Sequence, residues 1–114
     1  MTLFRALLLF MLASLLAYTG VVITREGADF MSAFSRDIAR MTWAGQFNVD
    51  FLCLLLLTAL WVAWRHRFNA GGIGLALLVL VGGTIFLSIY LLVEIARSGG
   101  DVVAVLLGSR RGDR

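Results

Sequence analysis

The sequence predicts an all-α membrane protein with three transmembrane helices and an amphipathic interfacial helix between the first and second. Composition is the first observation behind that reading. The 114 residues are 61% hydrophobic and 15% charged, whereas soluble domains carry roughly 25% charged residues. The second is run length: three stretches are long and apolar enough to cross a hydrocarbon core of about 30 Å, which takes about 20 helical residues. The third is a helix-period pattern in the segment between the first two runs. The chain reads as a single membrane domain.

The first span is placed at 4–24, where residues 6–24 carry no charge between Arg5 and Arg25. A secretory signal with Arg5 as its basic flank is the competing reading. The run is long for that, and no clear small-x-small cleavage site follows it. A retained helix is expected.

The third span is placed at 71–96, around an apolar core over 73–93. Gly72, Gly74, Ala76, Gly82 and Gly83 lie on it, and Ala13, Ala17 and Gly20 lie on the first. Small residues let helices approach closely. Packing within one bundle accounts for them; self-association or docking to a larger membrane protein is the alternative.

The second span, 45–66, is less regular. Only residues 51–64 are strictly uncharged, about 21 Å of helix. A full-length crossing from Gly45 to Trp64 therefore carries Asp50 about 7–8 Å inside the boundary. Local thinning of the bilayer is the other explanation.

Between these spans, Phe30, Phe34, Ile38 and Met41 recur on one helical face, with Ser32, Arg36 and Arg40 opposite. This predicts an interfacial helix over 29–42, ending beside Trp43. A lid over the bundle mouth is the second reading. After Gly99-Gly100 comes an apolar tail, 101–108, too short to span, and then a polar end containing Arg111-Gly112-Asp113. That triplet resembles an integrin-binding motif and is read as chance.

Ten arginines and no lysine give a net charge of +3. They flank apolar runs and form no basic stripe, which excludes nucleic acid as a natural partner. Three spans would put the termini on opposite sides. Arg25, Arg36, Arg40, Arg97, Arg110, Arg111 and Arg114 then face Arg5, Arg65 and Arg67 across the bilayer. That count favours an N-terminus outside and a C-terminus in the cytoplasm of a bacterial inner membrane. The dense Arg65-His66-Arg67 loop argues the other way.

Counting along antiparallel straight helices places Tyr18, Thr19, Asn48, Asp50, Ser88 and Tyr90 at one depth. They form the candidate intramembrane polar site, since an ionisable residue inside a span invites a functional reading. In the plainer account Asn48 caps the second helix and Asp50 sits in its first turn, favoured by the helix dipole. Trp61, Trp64, Arg65, His66 and Arg67 are read as an interfacial anchor contacting lipid headgroups. Glu94 and Arg97 read as an i, i+3 surface pair. Cys53 is the lone cysteine and His66 the lone histidine. Ser14, Ser88 and Cys53 have no nearby base, so no catalytic residue, metal ligand or cofactor is assigned.

The arrangement FNVDFLC…LWVAWRHRF…GGTIFLSIYLL, within residues 47–92, resembles short bacterial three-helix membrane proteins of unknown function. In that pattern an Asn/Asp pair opens the middle helix, a Trp-rich basic end closes it, and a glycine-bearing helix follows. The resemblance implies an integral membrane protein without an assigned reaction. The expected function is that of a non-enzymatic, self-associating or accessory subunit, with the lipid bilayer, a second copy or a larger membrane protein as partners. The alternative is a small-solute, proton or lipid-binding transport component centred on Asp50. A membrane enzyme holding a lipid phosphate on Arg65 and Arg67 is a third, weaker reading.

Overall fold

The computed structural model describes residues 2–110; Arg111-Gly112-Asp113 and Arg114 lie outside the described residues. The described chain is 88% helical, without strands. Its elements are α1 (Thr2–Glu26), α2 (Phe30–Ala39), α3 (Trp43–Arg65), α4 (Ala70–Ser98), α5 (Val102–Leu107) and a short 3-10 turn over Gly108–Arg110. α1, α3 and α4 are the three helices long and apolar enough to cross a membrane.

The helices start where local chemistry satisfies their first amides. Asp29 caps α2, its carboxylate accepting from the Ser32 amide at 3.2 Å and the Ser32 hydroxyl at 2.7 Å. Asn69 caps α4 by accepting from the Gly72 amide at 2.6 Å. Asp101 caps α5 at Val103, 3.0 Å away. The N-cap of α3 is Thr42, which makes no side-chain capping bond.

α4 is not straight. Gly83 has φ 58° and ψ −141°, a conformation outside the helical region that side-chain-bearing residues avoid. Two contacts establish what the break does. His66 packs against Gly72, where an added Cβ would lie 2.5 Å from the His66 Cβ. The same imidazole lies 2.7 Å from the Tyr90 hydroxyl. On a straight helix, residues 72 and 90 would be about 27 Å apart. The chain therefore reverses at Gly83, and α4 is a hairpin of two arms, 70–82 and 84–98.

Packing agrees with the reversal. Val62 of α3, Val79 of the first arm and Tyr90 of the second share one buried cluster, with Leu75, Phe86 and Leu87 against it. Ala59, Ala63 and Ala76 bring α3 and the first arm close together. The second arm meets α1 and α5 through Leu8, Ile95 and Val105. The tip lies beside Phe51, whose Cζ would be 3.1 Å from a Cβ at Gly83. Phe4 of α1 and Val105 of α5 pack on the same cluster, so the start of α1 and the C-terminal segment lie at the same end as Arg65.

α2 packs along the first third of α3. Asn48 Nδ2 donates to the Phe34 carbonyl at 3.4 Å. Gly45 is buried because α2 crosses there: an added Cβ would overlap the Asp37 carbonyl. Phe34 and Ile38 are half-buried, while Phe30 and Met31 stay exposed.

Candidate functional site

The residues expected to form one polar layer fall into two groups. Asn48 and Asp50 belong to the lower part of α3. Because α3 begins at Trp43, neither residue is a cap, and Asp50 lies about two turns inside the helix. Asp50 is exposed and makes no hydrogen bond or ion pair among the described residues. Its neighbours Phe47, Leu54 and Leu57 are exposed apolar side chains, and Cys53 is exposed one turn along. Tyr18 is exposed on α1 and Thr19 half-buried.

Ser88 and Tyr90 are elsewhere. Both are buried in the second arm of α4, which the reversal returns to the Arg65 end. Asp50 and Arg65 are about 22 Å apart along α3, so Tyr90, bonded to Arg65, is remote from Asp50. The hydroxyl of Ser88 makes no hydrogen bond among the described residues.

Arg65 organises the other group. Sequence reasoning sent its guanidinium to the headgroups; in the structure it is 1% exposed and turned inward. Nε donates to the Val105 carbonyl at 2.6 Å, Nη2 to the Ala104 carbonyl at 3.2 Å, and Nη1 to the Tyr90 hydroxyl. Nη2 also faces Glu94 Oε2 at 3.5 Å. The guanidinium lies 5.6 Å from the Trp61 ring centre and 5.5 Å from that of Tyr90, within cation–π range. A charge this deep persists only when its donors are met, and the planar fork of arginine reaches several acceptors at once.

The C-terminal segment closes over this charge. Trp61 Nε1 donates to the Leu106 carbonyl at 3.2 Å. Ser109 Oγ donates to the Arg65 carbonyl at 2.7 Å, and Arg110 Nε to the Trp64 carbonyl at 2.5 Å. The first gives the Arg65 carbonyl at the end of α3 a partner, and the second adds to the bond that the Trp64 carbonyl already accepts from the Arg67 amide at 3.0 Å. Arg67 Nε returns a bond to the Ser109 carbonyl at 3.2 Å, and Arg110 stacks on Trp64 at 4.9 Å. Gly108 permits the closure: its φ is +56°, and a Cβ there would lie 2.9 Å from the Arg65 carbonyl oxygen. Trp61, Trp64, Arg65 and Arg67 therefore hold α5 and the turn after it, while His66 contacts Tyr90 of α4.

Tyr90 Oη accepts from Arg65 and lies 2.7 Å from His66 Nε2, a contact in which either partner donates according to the imidazole tautomer. With the tyrosine donating, the neutral imidazole carries its proton on Nδ1. Burial, and secondarily the neighbouring Arg65 charge, hold its pKa below the ordinary histidine value of 6.5.

Beside these groups is an open polar cavity of about 350 Å³, lined by Arg65, His66, Glu94, Arg97, Ser98 and Ser109 among others. Glu94, Arg97, Ser98 and Ser109 were not among the predicted site residues. Glu94 and Arg97 were visible only as a surface pair, and nothing local to either indicated Arg65. No cluster of three or more His, Cys, Asp or Glu side chains that could hold a metal occurs among the described residues.

An all-helical chain with three such apolar helices is a multi-pass membrane protein. No family model matches it, and no curated protein or solved structure is significantly similar to it.

Proposed function

We propose that this chain is a non-enzymatic integral membrane protein working as a self-associating or accessory subunit of a membrane assembly. The observation that carries the proposal is Asp50: a carboxylate about two turns inside α3, exposed among apolar side chains and without a partner among the described residues. A lone ionisable group facing hydrocarbon is costly, by about 2.5–3.5 kcal/mol near the centre of a span and less toward its ends. Contact with a neighbouring helix offering a hydrogen-bond donor offsets that cost. The transport reading has less support, since Ser88 and Tyr90 do not approach Asp50.

The hairpin supports a different orientation from the one expected for three crossings, with N-terminus outside and C-terminus in the cytoplasm. Each arm of α4 is roughly 20 Å long, short of a 30 Å core. We read α1 and α3 as the crossing helices and α4 as entering and leaving by one face. Arg5, Arg65, Arg67, Arg97 and Arg110 then gather on that face, and Arg25, Arg36 and Arg40 on the other. The basic excess points that face, with both ends of the described chain, toward the cytoplasm of a bacterial inner membrane. α2, beside Gly45, sits at the opposite boundary, where an interfacial helix belongs.

Cys53 supplies the test. Membranes carrying the full chain are treated with a thiol cross-linker bridging Cys53 on neighbouring molecules. A cross-linked dimer, weakened in Asp50→Leu, is expected for self-association; a discrete heavier adduct, lost in the same variant, is expected for a subunit of a larger assembly. A monomer under all conditions, with a monodisperse monomer in mild detergent, overturns the reading.

A further inference from the structure

We propose that the polar cavity beside Arg65 is an anion site that takes the phosphate of a phosphodiester headgroup or a free phosphate. Charge is the first argument. Among the described residues Glu94 is the one carboxylate lining the cavity, and two guanidiniums share it. Oε2 lies 3.5 Å from Arg65 Nη2, and Oε1 lies 3.5 Å from Arg97 Nη1. Tight charge-assisted bonds are about 2.7–2.9 Å long. One carboxylate held loosely between two cations leaves the cavity with one unit of positive charge.

The donors are the second argument. Arg65 directs four of its five N–H groups at Tyr90, Glu94 and the carbonyls of Val105 and Ala104, so it supplies mainly field, with at most one N–H left for direct contact. Arg97 is different. Its side chain is 73% exposed, and its one contact among the described residues is the long one to Glu94. In the tautomer protonated on Nδ1, His66 offers a ring N–H that makes no hydrogen bond among the described residues. A guanidinium edge and an imidazole N–H on the same cavity wall are donors without acceptors, which a phosphate oxygen supplies.

Position is the third. The cavity lies at the end of α3 marked by Trp61 and Trp64, the level at which tryptophans meet headgroups. Its volume of about 350 Å³ admits a phosphate with part of its ester. A lipid phosphate would arrive there from the side, and a dissolved one through the open mouth.

The test uses the full chain in mild detergent and two probes. Native mass spectrometry compares retention of phosphatidylglycerol with that of diacylglycerol bearing the same acyl chains, which lacks the phosphate; fluorescence of the tryptophans near the cavity follows added inorganic phosphate. Preferential retention of phosphatidylglycerol without a phosphate response assigns a lipid headgroup. A saturable phosphate response assigns the free anion as well. In either case Arg97→Gln is expected to weaken binding about threefold to fivefold. Arg97→Lys is expected to recover most of it, and Arg36→Gln, at the opposite end, to leave it unchanged. Arg97 is exposed, so these variants keep the fold, which a thermal melt verifies. Equal retention of both lipids with no phosphate response overturns the proposal, as does an Arg97→Gln protein that binds like the wild type.

Discussion

Arg65 Nη1 donates to the Tyr90 hydroxyl across 25 residues of chain, and this bond exists only because α4 doubles back at Gly83. The arginine ends one helix, the tyrosine lies within the returning arm of the next, and His66 Nε2 lies 2.7 Å from the same hydroxyl. Tyr90→Phe removes the acceptor of the first bond and one partner of the second. A loss of about 1–3 kcal/mol is expected, read as a lower midpoint for unfolding by SDS in mixed micelles. An unchanged midpoint would mean that water or lipid replaces the hydroxyl.

Gly83 sets the hairpin. A side chain there meets both an unfavourable backbone conformation and the Phe51 ring, so Gly83→Ala is expected to cost about 1–3 kcal/mol. Gly74 makes the comparison. It lies in the first arm, and a Cβ would meet nothing within 4 Å. Gly74→Ala is expected to gain about 0.5–1 kcal/mol from helix propensity. Opposite signs in the same unfolding assay separate a hinge glycine from a merely small one.

The closure over α3 depends on the number of donors Arg65 offers. Arg65→Lys keeps the charge, but its compact ammonium cannot reach Val105, Ala104, Tyr90 and Glu94 together. Detachment of α5 is expected. Val105 is 3% exposed, so Val105→Cys, introduced in a Cys53→Ser background, reports detachment as faster maleimide labelling. Equal labelling rates with and without the Arg65→Lys change would refute the role given to the guanidinium.

Acid is expected to weaken the fold through His66. Its native pKa lies below 6.5, with burial the main cause, so the folded chain binds its proton later than the unfolded chain does. Stability is then insensitive to this group above about pH 6.5, falls as pH drops through that value, and levels off below the lowered native pKa. Unfolding midpoints between about pH 5 and 8 measure the slope. His66→Gln should flatten the part that His66 contributes, and a slope identical to the wild type would assign it to other groups.

Helix extents were largely legible from run length and charge. Spans read as 4–24, 45–66 and 71–96 correspond to helices over Thr2–Glu26, Trp43–Arg65 and Ala70–Ser98. The shortness of the charge-free core around residues 51–64 raised the reading of Asp50 as immersed beside those of local thinning and of a cap at Asn48, and the start of α3 at Trp43 removes the cap. The reversal was not legible, for a physical reason. A turn within apolar surroundings needs no polar residues, and both arms keep helical periodicity, so Gly82-Gly83 reads equally as close packing or as a hinge. Every depth estimate beyond residue 83 inherited that ambiguity. Ser88 and Tyr90 were therefore matched to Asp50, and the inward turn of Arg65 went unforeseen because its acceptors at residues 104 and 105 come 39 and 40 residues later.

That separation also orders events during synthesis. When Arg65 is added to the chain, Trp61 is already made, whereas Tyr90, Glu94, Ala104 and Val105 follow 25 to 40 residues later. On the proposed topology, the two arms of α4, each too short to cross unaided, enter the bilayer together. Val105 is the last of these partners to be made, so closure of the C-terminal segment over Arg65 comes after both arms of α4 exist.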